Sequence, residues 1–230
     1  MLLQTLTGPS KVSNGSLSAL RGGTLGDGIV SELHGRFYEQ NYQGNLYSIG
    51  CMPATTVAPT ALSASTILLT ASAQPIVGVW NPLSSTVNVV ILQATLVDVI
   101  NNVTSVAPGS FVWAASVGNS ALSAGLAPFN RKTLSNNGSQ AKGFSLSTAS
   151  LLTGLTNNLV IFDAAEFNVA SGLLTTTVTA ATPTPSVSGV QNFDGSLIVP
   201  PGGMLALLNT VSSTTHSVTA RLLWEEVSSL

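Results

Sequence analysis

The sequence predicts an all-β fold, a two-layer sandwich or barrel, and three observations carry that prediction. From about residue 28 onward, short stretches rich in Val, Ile, Leu and Thr recur between clusters of Gly, Pro, Asn and Ser, with a turn signal about every ten residues. In SVTARLLWEEV (217–227), Val218, Ala220, Leu222 and Trp224 fall on one face, and Thr219, Arg221, Leu223 and Glu225 on the other. That alternation is the mark of a half-buried strand. At 230 residues the chain is long enough to bury a sizeable core as one domain. No repeat of fixed period is present.

Taken in order, residues 1–27 read as an extended N-terminal arm. They hold Gly, Ser and Leu without stable periodicity and end in RGGTLGDG. These glycines lack the preceding strand and following helix that a phosphate-cradling loop requires. The domain is expected over 28–230. Its strands are expected at 29–38, 45–50, 66–71, 75–80, 87–99, 110–117, 142–147, 158–168, 172–179, 195–199, 203–209 and 216–227, with short helices at 119–127 and 148–155. NPLSST (81–86) and VPPGGM (199–204) read as turns. AATPTPSVSG (180–189) is too rich in proline for a central strand and reads as a loop or an edge. NRKTLSNNGSQAKG (130–143) holds Arg131, Lys132 and Lys142, three of the seven basic residues. It reads as a long solvent-facing hairpin or loop, with contact to an acidic partner as the functional alternative.

The stretch VNVVILQATLVDVI (87–100) stands apart. Strict alternation points Val87, Val89 and Ile91 one way, and Val90, Leu92, Ala94 and Leu96 the other. Both faces would then be apolar. A sandwich covers only one face with its second sheet, so a neighbouring subunit is the expected cover of the other.

Composition narrows function. Charged residues make up only 7% of the chain, while Ser and Thr together supply about a quarter. Such a surface is wetted by hydroxyls and amides, or is buried against other copies. A net charge of −2 does not oppose assembly. Seven basic residues spread along the chain make no phosphate-binding stripe, so nucleic acid is not an expected partner. No apolar run reaches the length of a membrane-spanning helix, and the N-terminus does not read as a signal peptide. Cys51, the single cysteine, reads as a small buried hydrophobe. Asn14, Asn102 and Asn137 match the glycosylation pattern but read as turn and loop sequence.

Catalytic chemistry finds little support. His34 and His216 are far apart, no Cys/His cluster exists, and no G-x-S-x-G elbow is present. Glu225 and Glu226 are adjacent, so on a strand they point to opposite faces. The expectation is no enzyme, no metal and no cofactor.

The most distinctive stretch is GRFYEQNYQGNLY (35–47), which holds all three tyrosines, Tyr38, Tyr42 and Tyr47, beside Arg36 and Glu39. Read as a strand over 35–42, it places Arg36, Tyr38 and Gln40 on one face and Phe37, Glu39 and Asn41 on the other. Gly44 then ends it. Tyr and Arg are enriched at protein interfaces, and aromatic faces also stack on sugar rings. The interface candidates are therefore Arg36, Tyr38, Tyr42, Tyr47, Val87, Val89, Ile91 and Leu92.

Three segments together resemble structural proteins of tailed bacteriophages: SELHGRFYEQNYQGNLYS, PIVGVWNPLSSTVNVVILQATL and SLIVPPGGMLALLNTVSSTTHSVTARLLWEEV. The shared pattern is H-G-R-[FY]-x-E followed by Q-G-N, then a W-N-P turn before a long apolar strand, and last an L-x-W-E-E strand. It spans roughly residues 30–100 and 195–227. The middle of the chain, 101–190, carries no part of it. The resemblance implies a jelly-roll-like β-sandwich present in many copies on a virion. The leading expectation is a capsid decoration (cement) protein that forms a homo-oligomer, a trimer, on the major capsid protein or another virion protein. The alternative is a tail or head-fibre module that binds host surface polysaccharide.

Overall fold

The structure is a computed structural model. It describes residues 36–51, 68–69, 75–100, 111–118, 125–145, 159–167, 169–170, 186–209 and 216–229. The expected arm 1–27, His34 and the expected strand 172–179 lie outside these residues. The chain divides into two units, Met1–Tyr38 and Glu39–Leu230. The sandwich is the second.

Among the described residues, one short helix, α1 (Tyr38–Gln43), precedes twelve strands: β1 (Leu46–Cys51), β2 (Leu68–Leu69), β3 (Val77–Trp80), β4 (Val87–Ile100), β5 (Phe111–Ser116), β6 (Phe129–Asn130), β7 (Lys142–Ser145), β8 (Leu159–Ala164), β9 (Val169–Ala170), β10 (Ser186–Val199), β11 (Met204–Asn209) and β12 (His216–Ser228). They form two antiparallel six-stranded sheets, ordered β6-β1-β12-β4-β10-β9 and β2-β8-β5-β11-β3-β7. Setting aside the four edge strands β2, β6, β7 and β9 leaves eight. In chain order the outermost pair, then each pair inside it, are neighbours: β1 with β12, β3 with β11, β4 with β10, β5 with β8. The two halves of each sheet join through β12–β4 and β11–β5. A long hairpin rolled up in this way is a jelly roll.

The inner faces of both sheets meet in one core. Ile49, Val89, Ile91, Leu222 and Trp224 come from the first sheet, and Val79, Trp113, Leu205 and Leu207 from the second. Burying a large side chain of this kind stabilises the fold by about 1.5–3 kcal/mol. A polar bridge crosses the core. Trp113 Nε1 donates to Gln191 Oε1 at 2.8 Å, and the Glu166 amide donates to the same oxygen at 3.2 Å. Phe193 packs edge-on against Trp113, with ring centres 5.3 Å apart. The second sheet is buried on its other face too, through Trp80, Val112, Phe144, Met204 and Leu208.

The doubly apolar reading of 87–100 is corrected by a β-bulge. In register with β12, Ile91 faces Trp224 and Gln93 faces Leu223, so Leu92 is an extra residue. The opposite neighbour, β10, also breaks register here, between Asn192 and Leu197. A bulge shifts the inward phase by one residue. Val89 and Ile91 before it, and Ala94 and Leu96 after it, therefore all point into the same core. The outward face carries half-buried Val90, Gln93 and Thr95. Val89 and Ile91 are fully buried between the sheets, so their burial requires no neighbouring subunit.

The expected turns at 81–86 and 199–204 are fastened together by buried Asn81. Its amide donates to the Gly203 carbonyl at 2.9 Å, and its carbonyl accepts from the Gly202 amide at 2.8 Å. Its Nδ2 reaches the carbonyls of Val87 (2.7 Å) and Val199 (3.1 Å). Gly202, with φ of +79°, makes the turn possible. Two expectations need changing. Residues 186–189, assigned to a loop or edge, begin the long strand β10, which lies between β4 and β9. At 125–127, assigned to a helix, Leu126 instead pairs with Gly143.

Candidate functional site

The tyrosine segment is a helix, not a strand. Gln43 Nε2 donates to Glu39 Oε1 at 2.9 Å, one turn earlier. Gly44 ends the helix with φ of +86°. The Gly44 amide bonds the Asn41 carbonyl and the Asn45 amide bonds the Gln40 carbonyl, both at 3.1 Å. This is the left-handed glycine cap that closes many helices. The spacing of Glu39, Gln43 and Gly44 was the available signal, and the period-two reading of 35–42 passed over it.

The helix separates the three tyrosines. Tyr38 and Tyr42, four apart in α1, are exposed by 41% and 59%. Tyr47 lies in β1 and is buried in the core. Burial raises its phenol pKa, opposed by a hydrogen bond with the Asn130 side chain and assisted by the charge of Glu226. Arg36, just before the helix, holds its guanidinium 5.2 Å from the Phe37 ring centre.

The turn after β6 meets α1. The Asn130 side chain organises it: Oδ1 accepts from the amides of Lys132 (3.0 Å) and Thr133 (3.1 Å), while Nδ2 donates to the Gly44 carbonyl (2.8 Å). The Arg131 amide bonds the Leu46 carbonyl at 2.9 Å. Lys132 Nζ sits 5.2 Å from the Tyr42 ring centre, a cation–π contact. Lys142 lies apart from these two, in β7.

The end of β12 anchors the rest of that loop. Glu226 is buried, on the face of Leu222 and Trp224. Its carboxylate accepts from the Ser139 hydroxyl, the Gln140 amide (3.0 Å), the Ala141 amide (3.4 Å) and Trp224 Nε1 (3.4 Å). Gln140 in turn accepts from the Thr86 amide at 2.9 Å. Sequence reasoning gave Glu226 no role, although strand parity already placed it on the inward face. Glu225 points the other way and is half-buried. A cleft of about 450 Å³ opens here, and Gln43, Asn45, Tyr47, Gln140, Glu225 and Ser228 are among its lining residues. Val87 also lines it. Leu92, at the bulge, is buried. The eight candidate residues therefore do not form one surface. Tyr38 and Tyr42 are exposed on the helix, Val87 borders the cleft, and Tyr47, Val89 and Ile91 are core.

Burial raises the Glu225 carboxyl above its ordinary pKa. The folded state then holds this proton more tightly than the unfolded chain does. Ionisation opposes folding, fully above the folded pKa and not at all below the unfolded value. Glu225→Gln is therefore expected to raise the Tm slightly at neutral pH and to leave it unchanged below about pH 4. Thermal unfolding at the two pH values checks this, and an equal gain at both contradicts it.

Outward from Glu225, a polar chain crosses three strands of the first sheet. Arg221 Nη2 donates to Gln93 Oε1 at 2.6 Å, and Gln93 Nε2 donates to Asn192 Oδ1 at 2.9 Å. On the same outward face Val97 and Val190 lie to one side of this chain and Ile198 to the other, exposed by 44%, 53% and 53%, with Thr95, Ser188 and Thr219 beside the two valines. Among the described residues no group of three or more His, Cys, Asp or Glu is placed to hold a metal, and no helix is long and apolar enough to cross a membrane. No family description, curated protein or solved structure matches the chain.

Proposed function

We propose that this chain is a structural protein of a bacteriophage virion, a capsid decoration (cement) protein that acts as a homotrimer. The observation that carries the reading is the outward face of the first sheet. There Val97, Val190 and Ile198 stay exposed in a chain with very few charges. Exposed apolar side chains on either side of a polar row are suited to burial against another copy, with the polar row supplying hydrogen bonds. The jelly roll is compatible with this role, since viral capsid domains use it, but lectins use it too, so the fold alone does not decide. The resemblance of the tyrosine, W-N-P and W-E-E segments to phage structural proteins adds support. The mechanism is mechanical. Copies that bind only the assembled shell stabilise it by mass action, and the N-terminal arm would reach the capsid or a neighbouring copy.

Native mass spectrometry over a range of concentrations tests the reading. The expected result is a stable trimer, reduced to monomer in the double variant Val190→Glu, Ile198→Glu. A wild-type chain that remains monomeric at every concentration rejects it. Deleting residues 1–27 is expected to abolish co-sedimentation with capsids while leaving the circular-dichroism spectrum of the sandwich unchanged.

The second reading, a fibre module that binds surface polysaccharide, is favoured by the polar cleft. Its volume falls in the range of small-ligand sites, and its amides and carboxyl could bond sugar hydroxyls. A glycan array separates the two readings. Saturable binding that is lost in Asn45→Ala would support the fibre module.

A further inference from the structure

We infer that Asn137 deamidates spontaneously, aided by the Ser135 hydroxyl, and that the isoaspartate so formed loosens the clasp between residues 139–141 and Glu226. The inference does not depend on the virion reading. The reaction is an attack within the chain. The amide nitrogen of the following residue closes a ring on the side-chain carbonyl carbon, and ammonia leaves. Water then opens the ring at either carbonyl, giving aspartate or isoaspartate. No oxidant or enzyme takes part. Isoaspartate carries the main chain through the former side-chain methylene, so it lengthens the backbone by one atom.

Several features favour the attack here. Asn137 is the one asparagine among the described residues that precedes a glycine, and glycine leaves the attacking nitrogen without a side chain beside it. Gly138 has φ of +86°. Its amide forms no hydrogen bond among the described residues, so none has to break before it attacks. Asn137 is exposed, which admits the water that opens the ring. Its Oδ1 accepts from the Ser135 hydroxyl at 2.6 Å. That oxygen gains negative charge as the ring closes, and a donor already aimed at it lowers the barrier.

The consequence follows from where the residue sits. On one side, the Asn130 amide donates to the Ser135 carbonyl at 2.8 Å. On the other, the Ser139 hydroxyl and the amides of Gln140 and Ala141 donate to the Glu226 carboxylate. Residues 136–138 therefore span two fixed points. There is little room to bulge at Gly138, where a Cβ would lie 3.3 Å from the Tyr47 phenol oxygen. The Ser135 end is further secured by the Asn130 side chain, which holds the amides of Lys132 and Thr133. The added atom is therefore taken up at the clasp.

Ageing the whole chain at mildly alkaline pH, followed by peptide mapping, tests the site. The peptide that holds Asn137 should gain one mass unit and split into aspartate and isoaspartate forms. Conversion should quicken as the pH rises, because the attacking amide must lose its proton. Mapping separates this site from the other Asn-Gly pair, Asn14 and Gly15. Asn137→Gln should abolish the change, and Ser135→Ala should slow it. Hydrogen exchange then reads the clasp. The Gln140 and Ala141 amides should lose protection in the isoaspartate form and keep it in Asn137→Asp, which adds the charge without lengthening the chain. Asn137 that stays intact in the folded chain while it converts in urea would overturn the inference. So would a rate unchanged by Ser135→Ala, an isoaspartate form with both amides still protected, or an equal loss of protection in Asn137→Asp.

Discussion

Deleting Leu92 is expected to leave a cooperatively folded protein, although it shortens a 14-residue strand at its centre. The residue is the extra one in β4, and without it the strand regains a strict two-residue period. Val89, Ile91, Ala94 and Leu96 then stand at alternate positions and all still point into the core. Ile91 and Gln93 become neighbours and match the neighbouring Trp224 and Leu223 of β12. The cost is the loss of one buried side chain, about 2–4 kcal/mol, which lies below the total stability of a typical domain, about 5–15 kcal/mol. Leu92→Ala is the control, because it keeps the bulge and removes only buried methyl groups, and it should cost a similar amount. Urea titration followed by tryptophan fluorescence reads both variants. A deletion variant that fails to fold while Leu92→Ala folds would show that the bulge itself is required.

The same residue marks how far the sequence could be read. Alternation in 217–227 predicted the inward set of β12 correctly, because that strand keeps its period through the Leu92 bulge. Alternation in 87–100 failed, because a bulge has no reliable signature in an apolar run. Val-Ile-Leu-Gln reads equally well in either phase, and only the pairing with Leu223 and Trp224 fixes it. β10 was half seen for a related reason. Gln191 is an inward polar residue that looks outward in the sequence, and its partner Trp113 lies 78 residues away. Asp194 and Gly195 take positive φ within the register break, and the expected strand 195–199 covered only the part of β10 from Gly195 onward. The helix at 38–43 was missed because aromatic residues favour strands in general, whereas the glycine cap at Gly44 decides locally. The turns at 81–86 and 199–204 were legible from Pro and Gly. That one asparagine joins them was not, since Asn81 and Gly203 meet only through the fold.

Glu226→Ala should destabilise the protein by about 3 kcal/mol, more than most single substitutions. The carboxylate is buried and accepts from four donors: the Ser139 hydroxyl, the amides of Gln140 and Ala141, and Trp224 Nε1. Removing it leaves buried N–H groups without an acceptor, which costs more than the net gain from making those bonds. Glu226→Gln is the more discriminating variant. It keeps the shape but turns an NH₂ donor toward a group that consists only of donors or a rotatable hydroxyl. Its cost should therefore approach that of alanine, whereas a purely steric role would make it nearly silent. Ser139→Ala removes one partner and should cost about 1 kcal/mol. The damage should also be local. Residues 139–141 are tied to β12 through this carboxylate, and Gln140 carries the tie on to Thr86. Hydrogen exchange at the Gln140 and Ala141 amides should accelerate well beyond the loss of global stability, while the Leu222 amide tracks it. Uniform acceleration would mean that Glu226 contributes to the core generally and is not the clasp between this loop and the end of β12.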